Sequence, residues 1–260
     1  MGACNLSPDS FSGDGLGDDM EAILTQARRF VAEGADILDV GGESTRPGTK
    51  PKSAESINSE LRLVIPALER LSGELSVPLS VDTYKSEVAS RAVAAGASMI
   101  NDIWGLKQDP GIAKVAAEAD VPLLLMSNQR DAPCDDIMAE VTADLKRAIG
   151  QAIEIGVPEE NIIIDPGIGF GKTLEQNLEI IRRLAELKSL GRPILLGTSR
   201  KSMIGLVLGL SPDQRVEGTA ATMAIGIAHS ADMVRVHDVS YMVRVCRMSD
   251  AVIRGGSDEF

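Results

Sequence analysis

Eight short aliphatic runs alternate along this chain with eight longer amphipathic ones, and that alternation limits its fold more than any other feature. The short runs fall near residues 2–6, 36–40, 78–81, 98–101, 122–126, 161–164, 193–197 and 232–236. Between and after them, apolar residues recur at three- and four-residue steps near 20–31, 55–71, 85–95, 111–119, 136–155, 173–189, 213–229 and 239–253. Strand followed by helix, repeated, requires a parallel sheet with right-handed crossovers. Three junctions look like copies of one turn from helix to strand: Gly34-Ala35-Asp36-Ile37-Leu38, Gly96-Ala97-Ser98-Met99-Ile100 and Ser230-Ala231-Asp232-Met233-Val234. Their separations are close to two and four units of about 31 to 34 residues. Eight such units fill the 260 residues. A closed TIM (β/α)8 barrel is therefore expected in preference to an open doubly wound sheet, as one domain over residues 1–260.

Composition narrows the function classes. Apolar residues at 44% and charged residues at 25% describe a soluble globular chain, and no run is long enough to span a membrane. A net charge of -12 argues against nucleic acid as a partner, because backbone phosphates need a basic face. An anionic ligand must then be held by a local cluster of Arg and Lys. The cysteines, Cys4, Cys134 and Cys246, are far apart, odd in number and in no metal-binding spacing, which reads as reduced thiols in the cytoplasm. The chain opens on Met1-Gly2-Ala3-Cys4-Asn5, with no basic region or apolar run of a signal peptide.

In such a barrel the chemistry lies at the C-terminal ends of the strands. Those exits carry Asn5; Asp39 and the loop Glu43 to Arg46; Asp82-Thr83; Asn101-Asp102; Met126-Ser127-Asn128; Asp165-Pro166-Gly167; Thr198-Ser199-Arg200-Lys201; and Arg235, His237 and Asp238. Asp102 and Asp238 also suit helix capping, and His229, within a helical stretch, reads as structural. If the barrel closes, Asp82, Asn101, Asp165, Lys201 and Arg235 share one mouth. Buried carboxylates beside cations are costly unless a ligand uses them. A flat heterocycle with an amino-amidine edge would bring donors to Asp82 and Asp165. Its ring nitrogens and carbonyl would meet Asn101 and Lys201, and Arg235 would lie on its face. Arg46 and His237, with Asn5, Ser44 and Thr45, suit an anion with several oxygens. The run Gly167 to Thr173 ends in Gly-Lys-Thr like a nucleotide-binding loop, but Pro166 stands where that pattern needs glycine. Its glycines are read instead as letting the backbone approach a ligand.

These residues, in order, resemble one family across nearly the whole chain. Asn5-Leu6-Ser7-Pro8-Asp9-Ser10-Phe11-Ser12, Gly41-Gly42-Glu43-Ser44-Thr45-Arg46-Pro47-Gly48, Val81-Asp82-Thr83-Tyr84-Lys85 and Ile100-Asn101-Asp102 are similar to dihydropteroate synthase. So are Asp165-Pro166-Gly167-Ile168-Gly169-Phe170-Gly171-Lys172, Ser199-Arg200-Lys201-Ser202 and Arg235-Val236-His237-Asp238. The resemblance implies a transferase of folate biosynthesis, the sulfonamide target, which joins 6-hydroxymethyl-7,8-dihydropterin diphosphate to p-aminobenzoate and releases diphosphate. It also implies a homodimer and Mg²⁺. Carried over, Asp82, Asn101, Met126, Asp165, Lys201 and Arg235 would hold the pterin. Asn5, Thr45, Arg46 and His237 would hold the diphosphate, Asn5 also reaching the metal. Thr45, Pro47, Phe170, Ser199, Lys201 and Ser202 would surround p-aminobenzoate. Arg46, His237, Lys201 and Asn5 would carry the catalysis. The glycine-hinged loop from Gly41 to Pro51, with Ser7 to Gly17 as its partner, would close over the departing group, Pro47 and Gly48 keeping it from curling into helix.

Two departures stand out. The family usually has a His-Met pair after the fifth strand, where this chain reads Met126-Ser127-Asn128-Gln129-Arg130, so an altered pocket wall or loop is expected. Members usually carry a segment before the first strand that closes the barrel floor, whereas here Met1 almost begins that strand, and a cost in stability is expected. Two other readings remain. A pterin-dependent methyltransferase of the same superfamily would keep Asp82, Asn101 and Asp165 but would have no use for Ser44-Thr45-Arg46-Pro47 or Ser199-Arg200-Lys201. A non-catalytic pterin-binding homologue would fit the altered Ser127-Asn128-Gln129 stretch.

Overall fold

The computed structural model describes residues 1–7, 15–43, 54–129 and 136–255. Strand and helix alternate as expected: β1 (Gly2–Asn5), α1 (Met20–Ala32), β2 (Leu38–Gly41), α2 (Ala54–Glu74), β3 (Leu79–Asp82), α3 (Ser86–Ala94), β4 (Met99–Asp102) and α4 (Gly111–Ala119). The second half continues with β5 (Leu123–Met126), α5 (Ile137–Ile155), β6 (Ile162–Asp165), α6 (Leu174–Arg182), β7 (Leu195–Leu196), α7 (Ser202–Leu208), α8 (Val216–Ala228), β8 (Met233–Val234) and α9 (Val239–Arg254). One helix, α7, is not foreseen by the sequence pattern. The helix expected over 173–189 stops at Arg182 and gives way to a 3₁₀ stretch, Leu184–Leu190.

All neighbouring strands are parallel. β1 to β6 form one six-stranded sheet in sequence order, and β7 and β8 pair with each other. Single bridges join the two pieces, Ile164 to Ile194 on one side and Gly2 to Val236 on the other. At the second seam Ala3 N donates to Val236 O at 2.9 Å and Val236 N to Met1 O at 3.0 Å. The sheet therefore closes on itself as the (β/α)8 barrel that the repeat predicts.

The repeat has a physical basis in the helix ends. Ala35, Ala97 and Ala231 each donate from N–H to the carbonyl five residues back, Phe30, Ala92 and Gly226, at 2.9 Å in every case. This is the 6→1 bond of a Schellman ending, which needs a left-handed residue just before the donor. Gly34 and Gly96 supply it at φ +98° and +107°, and Ser230 does so at φ +76°. Ser230 bears strain of about 1–2 kcal/mol that glycine avoids. Val121 and Val157 repeat the bond to Ala116 and Ala152, two copies hidden in the sequence because different residues flank them.

Strand side chains alternate between two environments. Val40, Val81, Ile100, Leu125 and Ile164 join the apolar faces of the helices in one large core. Met1, Met99, Leu124, Ile163 and Leu195 form a separate cluster inside the barrel, with Ile37 and Met233 packed against it. This apolar layer is the floor on which the site is built. Met1 is itself part of it, its α-ammonium donating to Val234 O at 3.0 Å.

Candidate active site

Two residues further along each strand the inward position changes character. Above Ile37, Met99, Ile163 and Met233 stand Asp39, Asn101, Asp165 and Arg235, and β3 adds Asp82. A period of two thus puts polar groups on the floor's upper side at the C-terminal ends of the strands. Gly41 leaves room for them, since a Cβ there would lie 3.3 Å from the Cβ of Asp82.

Asp82, Asn101, Met126, Asp165, Lys201 and Arg235 line one cavity. Phe170, Ser199 and His237 line the same cavity. The space left between them is about 60 Å³. Ser202 is exposed at the start of α7 and is not among the lining residues. Asn5, half-buried, ends β1 beside Gly41, one strand away from Asp82. Thr45, Arg46, Pro47 and most of the Ser7-to-Gly17 loop lie outside the described residues.

The cations and carboxylates are interlocked. Arg235 Nε donates to Asp39 Oδ2 at 2.6 Å and Arg235 Nη2 to Asp82 Oδ2 at 3.0 Å, while Asn101 Nδ2 donates to Asp39 Oδ2 at 3.0 Å. Burial pushes the Asp82 carboxyl up to about 7, Arg235 opposing the rise and Asp39 adding to it. Burial also raises Asp165 above the usual carboxylate range, against the pull of Lys201. Gly167 N donates to Asp165 Oδ1 at 2.7 Å. Lys201 donates to the Ile168 carbonyl, and its Nζ stands 4.7 Å from the Phe170 ring centroid. His237 Nδ1 lies 2.9 Å from Ser199 Oγ.

Several exit residues turn out to be scaffolding. Asp102 holds its own turn, accepting from Trp104 N at 2.9 Å and Leu106 N at 2.7 Å. Asp238 precedes α9 without a side-chain capping bond and instead takes the Arg200 guanidinium in a two-point pair. His229 bonds the Ile181 carbonyl at 2.8 Å and is structural, as expected. Lys85, 0% exposed, is paired with Glu43 and Glu60, and Tyr84 donates to Glu43, tying the β2 exit to the β3 exit. Nothing in the periodicity of Val81 to Lys85 announces that cluster.

The Gly-Lys-Thr run has a different use from a phosphate cradle. Lys172 Nζ points into the protein and donates to Ser127 O, Gly167 O and Phe170 O at 2.9, 3.0 and 3.3 Å. Burial lowers it to about 7. Thr173 caps α6 in a reciprocal pair with Gln176. Gly167, at φ +72°, approaches the Ser127 carbonyl so closely that a Cβ would lie 1.9 Å away, so this glycine serves loop against loop rather than loop against ligand. Ser127, Asn128 and Gln129 are buried and are not among the cavity's lining residues. Ser127 Oγ donates to Asp144 Oδ2 at 3.0 Å, Gln129 Nε2 to Ser127 Oγ at 3.0 Å, and Lys107 Nζ to Asp144 Oδ2 at 2.8 Å. The departure after β5 is thus a buried polar brace behind the wall.

A barrel with acids and an amide on one arc of its rim and cations on the other matches one family in sequence as well. Residues 1–237 match the model of the pterin binding enzyme family, to which the chain belongs. Within it, the similarity is to dihydropteroate synthases. That of Bacillus subtilis is 49% identical over 256 residues, covering 98% of this chain and 89% of the relative. The crystal structure of the Clostridium difficile dihydropteroate synthase with pteroic acid is 47% identical, with a TM-score of 0.91 over 98% of this chain and 96% of that one. The Xanthomonas albilineans dihydropteroate synthase with 4-aminobenzoic acid is 44% identical, with a TM-score of 0.89 over 97% and 92%.

Proposed function

We infer that this chain joins 6-hydroxymethyl-7,8-dihydropterin diphosphate to p-aminobenzoate, forming 7,8-dihydropteroate and diphosphate. The observation that carries the reading is the convergence of Asp82, Asn101, Asp165, Lys201 and Arg235 on one cavity above an apolar floor, in a chain 49% identical to a dihydropteroate synthase. Asp82 and Asp165 accept from the amino-amidine edge of the pterin, and Lys201 donates to its ring carbonyl and nitrogen. Arg235 already has in-plane bonds to Asp39 and Asp82, which leaves its flat face for stacking.

In the reaction the bond between the pterin methylene and the diphosphate oxygen breaks, leaving a delocalised cation. The neutral aryl amine attacks that carbon, a C–N bond forms, and the amine proton passes to solvent or to diphosphate. Arg46 and His237 stabilise the charge that grows on the leaving oxygens. Phe170 and Ser199 flank the amine, with Thr45, Pro47 and Ser202 as the remaining proposed contacts. Among the described residues no cluster of three or more His, Cys, Asp or Glu could hold a metal. The amide oxygen of Asn5 nevertheless suits Mg²⁺, a hard cation that takes few protein ligands when phosphates complete its shell. When bound, Mg²⁺ supplies positive charge to the leaving diphosphate.

The decisive assay is diphosphate release from the pterin diphosphate on adding p-aminobenzoate with Mg²⁺, and its loss on chelation. Arg46→Ala should cut turnover on the order of 10²-fold. Pterin binding without diphosphate release would instead favour a non-catalytic homologue.

Acid should weaken pterin binding. An ionised Asp82 accepts donors from the ligand, and a protonated one loses an acceptor, so affinity should hold above about 7 and decline below it, approaching tenfold per pH unit. Fluorescence titration of a pterin from pH 5 to 8.5 measures this, and a flat profile would remove Asp82 from the binding edge. The effect on the empty protein has the opposite sign. A carboxyl raised in the fold favours the folded state at low pH, and that contribution is lost as pH rises through about 7.

The protein acts as a homodimer in the cytoplasm. Supporting the dimer, Leu206 and Val207 on α7, Ile225 on α8, and Met248 and Val252 on α9 are exposed, and an apolar surface of this kind needs covering. A single-chain mass by light scattering would overturn it. Cys4 and Cys246 are not joined in disulfides, which suits a reducing compartment. No helix among the described residues is long and apolar enough to cross a membrane.

A further inference from the structure

Asp39 is 0% exposed, yet it touches two groups of the pterin site. It lies on β2, in register with Ala3 of β1 and Ser80 of β3. Its partners come from elsewhere on the barrel, Asn101 on β4 and Arg235 after β8. One of its oxygens, Oδ1, is buried without a hydrogen-bond partner. A buried carboxylate left partly unsatisfied is a poor packing device, and an apolar side chain of similar volume would serve the fold as well or better.

Its chemistry dictates the posture of both neighbours. An ionised carboxylate only accepts hydrogen bonds, so Asn101 must turn its NH₂ toward Asp39, which sends the amide oxygen Oδ1 the other way. Arg235, held at Nε by Asp39 and at Nη2 by Asp82, has its plane fixed by two points. Resting on the pterin-transferase reading above, we propose that Asp39 is a positioning residue that never touches the substrate. It fixes which edge of Asn101 and which face of Arg235 the pterin meets. Asn101 thereby presents an acceptor to a ligand N–H, and the Arg235 guanidinium is set before the ligand arrives.

The test is Asp39→Asn, which keeps the shape and removes both the charge and the acceptor-only character. Affinity for 6-hydroxymethylpterin, read by fluorescence titration, should drop about 10- to 100-fold, the loss of a charged hydrogen bond. The KM for p-aminobenzoate at saturating pterin diphosphate should stay within about twofold, a split that general loosening of the fold would not produce. In an Asn101→Ala background the same substitution should lose much less, because part of its effect runs through Asn101. Unchanged pterin affinity, equal losses for both substrates, or strictly additive losses in the double variant would each overturn the proposal. Should Asp39→Asn fail to fold, a crystal structure of the unaltered protein with 6-hydroxymethylpterin decides. Retention of both Asp39 bonds with Asn101 Oδ1 on a ligand nitrogen supports the role, and a reversed amide or a released Arg235 refutes it. An unaltered protein that binds no pterin would refute the transferase reading as well, whereas tight binding with an indifferent Asp39→Asn refutes this inference alone.

Discussion

Arg235→Met should lower stability by about 3–5 kcal/mol and abolish measurable turnover, because it strips the cation from between two buried carboxylates. Asp39 is 0% exposed and Asp82 only partly exposed, and Arg235 bonds both. Methionine fills much of the same volume, so the loss measures charge rather than a cavity. For a chain of this size the melting temperature should decline by roughly 10 °C. The deficit should also depend on pH. With Arg235 gone, the carboxyl that burial already raises to about 7 is raised further, and a carboxyl so raised favours folding only while it carries its proton. Thermal melts at pH 5.5 and 8 should therefore show the variant closer to the unaltered protein in acid and furthest from it in base. A pH-independent deficit would mean that packing, not charge, ties these strands together.

Gly167→Ala is the second large effect. The new methyl would stand 1.9 Å from the Ser127 carbonyl oxygen, backbone against backbone, at φ +72°. Neither partner is a flexible side chain that could swing away. Ser127 is braced by Asp144 and Gln129, and the Gly167 loop by Lys172. A cost on the order of 4 kcal/mol follows, and any folded remainder should turn over at least 10²-fold more slowly because Asp165 and Phe170 move with the loop. Gly191→Ala is the control. It has nearly the same φ, +67°, but nothing within 4 Å of the new methyl, so only the left-handed strain of about 1–2 kcal/mol applies. Equal losses at the two positions, by chemical denaturation, would show that conformation rather than collision sets the cost.

The barrel was largely legible in the sequence, for a physical reason. A parallel strand buried on both faces reads as an unbroken aliphatic run, and the helix that returns the chain reads as a three-to-four periodicity. Strand limits fall within two residues of expectation, β2 at Leu38–Gly41 against 36–40. The α7 helix escaped because Ser-Met-Ile-Gly-Leu-Val-Leu contains no polar stripe to mark its outer face. Its apolar residues lie partly outside, Leu206 at 68%. The polar exits were visible as residues, but their partnerships were not. Asp39 stood in the sequence as one more acidic strand end, although alternation from Ile37 to Asp39 to Gly41 would have placed it on the inner face. The burial of Lys85 depends on Glu60, distant in sequence and on another element. Ser127 to Gln129 read as an altered pocket wall or loop, because motif spacing cannot tell a lining residue from one behind the lining.

The barrel's unequal division leaves one consequence. Its six-strand portion carries Asp39, Asp82, Asn101 and Asp165, and its two-strand portion leads to Lys201, Arg235 and His237. Around the cavity, the carboxyls of Asp39, Asp82 and Asp165 and the cations of Lys201 and Arg235 thus come from separate plates that meet at two thin joints, each a single bridge wide. The Arg235 pairs rivet those plates from within, and a ligand held by both arcs would add one more rivet. A ligand that binds only the closed cylinder should accordingly raise its resistance to unfolding, by an amount set by ligand concentration over Kd.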